Sequence, residues 1–298
     1  MQRFLITALD QQFNTTPCTI ALGKFDGVHL AHQALLQAAK DSLYASAVFT
    51  FCEEVPQYLT SLDERIAHFE NKGIDFLFLV PFALIRGLSC QEFVLFLKEK
   101  LACHHVVCGY NFRFGKGAIG NTQTLAELAG SLSLSCTVLP EITLNDSPVS
   151  SSYIRTLLAD GEVEKAAILL GHPHSLSGKV EKGYSIGKRL EVPTINLTLC
   201  NTSAALRHGV YASSAVIDGI RYPSITNIGN NPTFDREKTT CETYLLDVSG
   251  DFYEKTVSVE LLSFLREEKK FPSFEALKEA IEKDLNNARS YHQNHPTL

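Results

Sequence analysis

The first half of the chain contains the run Thr19-Ile20-Ala21-Leu22-Gly23-Lys24-Phe25-Asp26-Gly27-Val28-His29-Leu30-Ala31-His32. Its apolar start predicts a β-strand over residues 19–25, and apolar residues at helical spacing predict a helix over residues 31–44. A strand that leads through a glycine turn directly into a helix is the building unit of a parallel α/β sheet. The run therefore predicts an α/β domain at the start of the chain.

Strand and helix patterns continue to alternate as far as about Asp160. Further strands are predicted over residues 47–51, 75–80, 105–109 and 134–139. Further helices are predicted over residues 63–72, 90–101, 122–132 and 151–159. The strands are continuously apolar, which is typical of a parallel sheet covered on both faces. We therefore predict a doubly wound, Rossmann-like α/β domain over residues 1–170.

The pattern changes in the second half, which we predict to be a domain over residues 171–298. Residues 209–217 and 220–228 meet at Asp218-Gly219, which predicts a tight β-hairpin, and a second hairpin is predicted at Ser249-Gly250-Asp251. One helix follows, capped by Ser273. Its apolar stripe consists of Phe274, Leu277, Ile281 and Leu285. We predict an antiparallel β-barrel with a C-terminal helix, after a linker at Gly171-His172-Pro173-His174.

The composition limits the classes of function. A length of 298 residues suits two domains, and a formal net charge of -6 disfavours nucleic-acid binding through phosphate neutralisation. The eight cysteines include no C-x-x-C pair, so neither a zinc site nor a disulfide framework is indicated. The most apolar stretch, residues 76–85, contains Pro81 and is too short to span a bilayer. We expect a cytoplasmic protein without membrane or nucleic-acid partners.

A first candidate site follows the first predicted strand. Ligands of open parallel sheets collect at the carboxyl ends of the strands, and a helix N-terminus offers free amides to phosphate. His29 and His32 are three residues apart at such a helix start, so both can face one ligand.

The surrounding motif, G-x-F-D-G-x-H-x-x-H, resembles the nucleotidyltransferase signature of the bacterial bifunctional riboflavin kinase/FAD synthetases. The run Val107-Cys108-Gly109-Tyr110-Asn111-Phe112-Arg113-Phe114-Gly115 is similar to that family's second nucleotide-site segment, and Val149-Ser150-Ser151-Ser152-Tyr153-Ile154-Arg155 is similar to its third. The resemblance implies a Rossmann-like nucleotidyltransferase domain over residues 1–170 and a riboflavin kinase barrel over residues 171–298.

By this resemblance, His29 and His32 stabilise charge on the α-phosphate of ATP while an FMN phosphate oxygen attacks it and pyrophosphate leaves, with Mg²⁺ neutralising the phosphates. Asn111 is implied to orient phosphate. The other nucleotide-site residues that it implies are Gly23, Phe25, Asp26, Ser151, Ser152 and Arg155.

Three departures from the family pattern concern this first site. Ala31 stands where the family usually has glycine between the histidines, and the added methyl group crowds close approach of a nucleotide. The run of residues 50–56 keeps only part of the usual T-F-x-P-x-P. Ser152 and Tyr153 replace a threonine and a basic residue. These departures motivate an alternative hypothesis, a riboflavin kinase with a degenerate adenylyltransferase domain.

A second candidate site lies in the predicted barrel. Pro193-Thr194-Ile195-Asn196 resembles the P-T-A-N motif by which riboflavin kinases bind Mg²⁺ and ATP phosphates, and the run Asn227-Ile228-Gly229-Asn230-Asn231-Pro232-Thr233-Phe234 matches that family's N-I-G-x-N-P-T-F. The resemblance implies Thr194 and Asn196 as metal ligands. A glycine-containing loop that precedes them is predicted to bring backbone amides to phosphate. Its residues are Gly178, Gly183, Gly187 and Lys188.

Glu242 is the predicted general base of this second site. Strand alternation places it on the face of Tyr244, Leu246 and Val248, which we predict to point into the barrel. An inward carboxylate is costly unless it is paired or employed, so a structural pair with a Lys or Arg is the alternative. Arg266 falls where the family has a basic residue near the flavin, and its alternative is a charged run in water.

The predicted substrates are riboflavin, FMN and ATP, with Mg²⁺ accompanying ATP. Besides the kinase-only hypothesis, we consider a flavin- or nucleotide-binding regulator without turnover, which leaves Thr194, Asn196 and Glu242 unexplained. A nucleic-acid-binding barrel is disfavoured by the acidic balance. The sequence does not indicate the oligomeric state.

Overall fold

The computed structural model of the chain describes residues 1–53, 55–181, 194–198, 204–230, 239–248, 250 and 252–295. The chain divides into two compact units, Met1–Ser151 and Ser152–Leu298. The last two helices before Gly171 therefore fall almost wholly in the second unit. The predicted domain boundary after residue 170 stays a prediction. None of the described helices is long and apolar enough to cross a membrane.

The first unit is an open, entirely parallel sheet. Its strands are β1 (Gln2–Leu5), β2 (Cys18–Leu22), β3 (Ala45–Phe51), β4 (Phe76–Val80), β5 (Cys103–Gly109) and β6 (Ser135–Leu139), in the order β1-β4-β3-β2-β5-β6. All five pairings are parallel. A short hairpin of β7 (Thr143–Leu144) and β8 (Ser147–Pro148) follows β6. The predicted doubly wound fold is confirmed.

Helices cover both faces of this sheet. They are α1 (Leu30–Lys40), α2 (Leu62–Asn71), α3 (Phe82–Ile85), α4 (Cys90–Lys100) and α5 (Thr122–Ser131). One core cluster packs α4 and α5 residues such as Phe93 and Leu125 against one face of the sheet, and the other packs α1 and α2 residues such as Leu36 and Phe69 against the opposite face. From β2 the chain adds β3 and β4 on one side and then returns to add β5 and β6 on the other side. The switch point of the sheet therefore lies between β2 and β5.

The second unit contains a closed antiparallel barrel. Helices α6 (Ser151–Ala159) and α7 (Val163–Leu170) lead into β9 (His174–Glu181), β10 (Thr194–Thr198), β11 (Gly209–Ile217), β12 (Ile220–Asn230), β13 (Thr239–Leu245) and β14 (Thr256–Glu267), and α8 (Phe274–Asn294) follows. The barrel order is β10-β13-β12-β11-β14-β9, closed by the pairing of β9 with β10. The predicted barrel with a C-terminal helix is confirmed.

The first predicted hairpin is confirmed and the second is wrong. Asp218 and Gly219 join β11 to β12 with φ values of 51° and 81°, as a two-residue type I′ hairpin requires. Residues 249–251, of which the structure describes only Gly250, lie between β13 and β14, which are not neighbours in the barrel. Both edges of β13 are already used, by β10 and β12.

Hydroxyl groups fill part of the barrel interior. The Ser213 hydroxyl bonds those of Ser224 and Thr226 at 2.8 and 2.7 Å, and the Thr226 hydroxyl bonds that of Thr243 at 2.8 Å. All four side chains are buried. Because each hydroxyl both donates and accepts, such a chain satisfies its members without water.

Helix α8 packs on the outside of the barrel. Ser273 caps it as predicted, with its hydroxyl accepting the Ala276 N–H at 3.2 Å. Leu285 and Ala288 of the helix pack in a cluster with Val210, Ile225 and Tyr244 of the barrel strands. The face of the strands that carries Tyr244 is therefore the outer face.

A buried ion pair attaches α8 to β14. The Arg266 Nε and Nη2 groups donate to the carboxylate of Asp284, whose side chain is 6% exposed, at 2.6 to 3.0 Å. The Arg266 Nη1 group donates to the Glu267 carbonyl at 2.8 Å. Arg266 is thus not part of a charged run in water.

This pair predicts a stability difference. Asp284→Asn leaves the Arg266 guanidinium partly buried without its counter-charge, so the free energy of unfolding of the barrel unit should fall by about 2 kcal/mol. The exposed pair Arg289–Asp247 offers a matched control, since Asp247→Asn removes the same charge where water screens it. Urea unfolding of the full chain measures both, and equal effects of the two variants would contradict the prediction.

Candidate active sites

The histidine pair lies at the switch point of the parallel sheet. His29 is the N-cap of α1, and its Nδ1 accepts the His32 N–H at 3.4 Å. The two imidazole rings stack with centroids 3.7 Å apart. This contact uses Nδ1 of His29, so Nε2 is the ring nitrogen that would meet a ligand.

The turn before the histidines has an unusual backbone. Phe25, Gly27 and Val28 have φ values of 53°, 80° and 39°. Only glycine adopts this region without strain, and each other residue costs about 1–3 kcal/mol there. The Phe25 and Val28 side chains are fully buried, and a Cβ on Gly23 would lie 3.2 Å from the Phe25 ring. In the structure, Gly23 and Phe25 thus pack the turn, and their predicted nucleotide contacts stay predictions.

Other residues of the protein donate hydrogen bonds to both the carboxylate and the backbone carbonyl of Asp26. Its Oδ1 accepts the N–H groups of Leu59 at 2.7 Å and Thr60 at 3.4 Å, and its side chain is buried. Its carbonyl accepts the Ser151 hydroxyl at 2.9 Å. Both predicted nucleotide-site residues, Asp26 and Ser151, therefore hold the turn to its neighbours.

The remaining residues predicted for this site differ in position. Asn111 follows β5 at the same edge of the sheet, and its Oδ1 lies 3.6 Å from where a Gly109 Cβ would be. β2 and β5 are adjacent, so Asn111 follows the strand that neighbours the histidine turn. Ser152 and Arg155 lie on α6 in the second unit, and their participation stays a prediction.

Arg65 is a residue of this region that sequence reasoning missed. It is fully buried on α2, its Nη1 donates to the Lys24 carbonyl at 3.0 Å, and its guanidinium lies 5.1 Å from the centre of the Tyr58 ring. The spacing of Arg65 with Ile66 and Phe69 places it on the buried face of the helix. A buried charge on an apolar face is the signal that identifies it.

Burial keeps both histidines neutral. It lowers the pKa of His29 to about 4, and it lowers the pKa of His32 well below its ordinary value, with further lowering by the charges of His29 and Arg65. At neutral pH the pair therefore offers hydrogen bonds to a ligand rather than positive charge. A bound polyphosphate would favour the protonated forms, because it brings negative charge next to the rings.

The second site is a row of side chains across three barrel strands. Asn196 of β10 is opposite Glu242 of β13, and Glu242 is opposite Asn227 of β12. Directly opposed residues of antiparallel strands share a face at close distance, so the three half-buried side chains form one row. Thr194 is opposite Tyr244 in the same ladder, two positions from Asn196.

The row lies on the outer face of the barrel, which corrects the prediction that Glu242 points inward. Cys241, Thr243 and Leu245 are the buried residues of β13, and Thr243 belongs to the interior hydroxyl chain. Glu242 shares a face with Tyr244 as predicted, but that face is packed by α8. Alternation determines which residues share a face, and only the packing of the other elements determines which face is inside.

A second carboxylate lies close to Glu242. Burial raises the pKa of Glu242, and the charge of Glu268 raises it further. A Cβ on Gly229 would lie 2.5 Å from Oε1 of Glu268, so the carboxylate sits directly on the Gly229 backbone. Within the described ranges no Lys or Arg forms an ion pair with Glu242. The alternative of a structural ion pair has no support there.

Several predicted phosphate-loop residues lie outside the described residues. These are Gly183, Gly187 and Lys188, together with positions 231–234 of the second motif. Gly178 lies in β9 opposite Val257. Arg266 directs its donor groups to Asp284 and the Glu267 carbonyl, so its predicted flavin contact stays a prediction.

The two units define a two-domain transferase, with a histidine pair at the switch point of one unit and an amide–carboxylate row on the other. Residues 11–153 match the FAD synthetase family model and residues 170–292 match the riboflavin kinase model. The chain belongs to the family of bifunctional riboflavin kinase/FMN adenylyltransferases, since the enzyme of that name from Bacillus subtilis is 34% identical over 294 residues, covering 92% of each chain.

Other relatives agree over the same length. The bifunctional riboflavin kinase/FMN adenylyltransferase of Pseudomonas fluorescens is 32% identical over 288 residues, again covering 92% of each chain. The solved structure of a macrolide-efflux protein from Streptococcus pneumoniae has a TM-score of 0.87 and 26% identity, over 97% of this chain and 99% of that chain. The likeness therefore extends over both units.

The lowered pKa values predict how stability depends on pH. An unfolded histidine has a pKa near 6.5, whereas folded His29 has one of about 4, so between these values the unfolded chain binds a proton that the folded chain excludes. The contribution is complete above pH 6.5 and is lost as the pH falls towards 4. In this window the free energy of unfolding should fall by up to about 1.4 kcal/mol per pH unit for each such histidine.

Urea unfolding of the first unit at pH 7, 6 and 5 measures this dependence. His29→Asn is the informative variant, because asparagine keeps the helix cap and removes the titrating ring. The variant should lose less stability between pH 7 and 5 than the wild type. Identical pH dependence of the two proteins would contradict the assignment.

Proposed function

We propose that this chain phosphorylates riboflavin to FMN in its barrel unit and adenylylates FMN to FAD in its sheet unit, using ATP in both reactions. The observation that carries the proposal is that each unit matches one of the two catalytic families over most of its length. Each unit also holds its own set of candidate residues. The predictions of a cytoplasmic location and of no nucleic-acid or membrane partner stay predictions.

In the kinase reaction, Glu242 acts as the general base. It accepts the proton of the terminal ribityl hydroxyl as that oxygen attacks the γ-phosphorus of ATP, and ADP leaves with the electron pair of the broken bond. The pKa of Glu242 is raised by burial and by Glu268, which makes the carboxylate a stronger base than an exposed one. Asn196 and Asn227 are the residues directly opposite Glu242 on the two neighbouring strands.

The donor set of the row fits magnesium. Asn196 and Glu242 offer hard oxygen atoms, and among the residues described there is no group of three His, Cys, Asp or Glu side chains that would hold an ion alone. Mg²⁺ bound with ATP usually has few protein ligands and completes its shell with phosphate oxygens and water. Thr194 and Asn196 would hold it, and it would neutralise the charge of the transferring phosphate.

In the adenylyltransferase reaction, the histidine pair contributes positioning and hydrogen bonding. A phosphate oxygen of FMN attacks the α-phosphorus of ATP, and pyrophosphate leaves in line. His29 and His32 donate N–H groups to the α-phosphate oxygens, which gain charge in the transition state. The stacked pair forms although Ala31 replaces the usual glycine, which favours the bifunctional reading over the kinase-only alternative.

Two variants should separate the activities. Glu242→Gln removes the base and should lower FMN formation about 100-fold or more while FAD formation from supplied FMN continues. His32→Ala removes a donor to the α-phosphate and should lower FAD formation by about 100-fold while FMN formation continues. Chromatography of the products measures both in one preparation, so each variant is the control of the other.

The outcomes distinguish the hypotheses. FMN without FAD from the wild type would favour the kinase-only alternative, and neither product would favour a binding protein. Loss of both activities in either folded variant would contradict the division of labour.

If Asn196 is a metal ligand, its removal should change the Mg²⁺ dependence of the kinase reaction only. Asn196→Ala should raise the Mg²⁺ concentration for half-maximal FMN formation about tenfold, because one of few protein ligands is lost. The Mg²⁺ dependence of FAD formation in the same molecules serves as the control and should not change. An unchanged Mg²⁺ dependence of FMN formation would remove Asn196 from the ligand set.

A further inference from the structure

The loop before α2 is bound to the histidine turn by two reciprocal sets of hydrogen bonds. The Asp26 carboxylate accepts the N–H groups of Leu59 and Thr60. In the other direction, the Thr60 hydroxyl accepts the Gly27 N–H at 3.0 Å. Thr60 is 3% exposed and Asp26 is 2% exposed, so water does not replace these partners readily.

The Thr60 hydroxyl contacts the turn at the glycine between its two non-glycine residues with positive φ. Gly27 has a φ of 80° and lies between Phe25 and Val28, the two non-glycine residues with positive φ. A backbone in this region persists only where its surroundings determine it. The hydrogen bond from the Gly27 N–H to the buried Thr60 hydroxyl is one such part of the surroundings, because it fixes the orientation of the peptide plane.

The orientation of this turn decides where the histidines lie. His29 follows Val28 directly and begins α1, so a rotation within the turn changes the direction in which the helix starts. The His32 ring packs on the His29 ring and lies 5.1 Å from the Phe25 ring, centroid to centroid. The turn and the two imidazoles therefore form one packed group.

We infer that Thr60 is a positioning residue of the adenylyltransferase site: its hydroxyl, together with the Asp26 carboxylate, holds the turn in the conformation that stacks His29 on His32. This inference rests on the proposed function of the histidine pair. Thr60 acts through the Gly27 peptide and the histidines. Its removal should therefore lower the rate of the chemical step more than it weakens substrate binding.

Thr60→Val tests the inference, because valine keeps the shape of the side chain and removes the acceptor. The rate constant kcat of FAD formation should fall about tenfold or more, since small displacements of catalytic groups have effects of this size. The KM for ATP should change much less. Thr60→Ser restores the hydroxyl and should restore most of the rate, and FMN formation by the same molecules should be unchanged.

Ser46→Ala is the matched control for lost hydrogen bonding. The Ser46 hydroxyl is buried in the same sheet unit and donates to the Asp75 carboxylate at 2.8 Å, at the start of β3 and so at the opposite edge of the sheet. Its removal also costs a buried hydrogen bond. It should leave kcat of FAD formation near that of the wild type.

A measurement independent of activity accompanies the kinetics. Side-chain imidazole resonances of His29 and His32 should shift in Thr60→Val and remain in place in Ser46→Ala, since stacked rings report their mutual orientation. A wild type that makes no FAD would contradict the proposed function, and the resonances would then decide the inference. Unmoved resonances, or equal losses of kcat in Thr60→Val and Ser46→Ala, would overturn it.

Discussion

Fixed strand pairing is the constraint on which both candidate sites depend. In the sheet unit, parallel pairing of β2 with β5 brings the carboxyl ends of both strands to one edge, so the histidine turn and Asn111 leave from neighbouring strands. In the barrel unit, antiparallel pairing places Asn196, Glu242 and Asn227 directly opposite one another. A shift of one residue in either ladder of β13 would turn Glu242 away from its neighbours.

The environment of each site shifts the pKa of its titrating groups in the direction that favours their neutral forms. Burial lowers the pKa of His29 and His32, so without a ligand the imidazoles are neutral and do not repel one another. Burial and the Glu268 charge raise the pKa of Glu242, so its carboxylate binds a proton more readily. Desolvation favours the neutral form in both cases, so one physical effect lowers the pKa of the imidazoles in one unit and raises the pKa of a carboxylate in the other.

Much of this arrangement could be predicted from the sequence, because regular elements have regular periods. Five of the six sheet strands, the four longer helices around the sheet, the Asp218-Gly219 hairpin and the Ser273 cap were predicted, whereas the short helix α3 was not. The exposed edge strand β1 was not, since its four residues show no apolar pattern. The first strand was predicted to reach Phe25 but ends at Leu22, because the backbone turns to positive φ at Phe25. The inward direction of Glu242 was wrong because alternation does not say which face α8 covers.

The limits of sequence reasoning follow from how each site is held. The barrel row is held by an ordinary ladder, and none of its three residues has a positive φ. A period of two predicts which residues of one strand share a face, and the register of the three strands then places Asn196, Glu242 and Asn227 side by side. The histidine pair is held by a strained turn whose shape depends on Thr60, a residue that lies 33 positions from Gly27 in the chain. Neither the helix period nor the strand period relates residues that are so far apart in the chain. Motif resemblance identified the histidines, but the groups that hold them in place became visible only through buried hydrogen bonds across the fold.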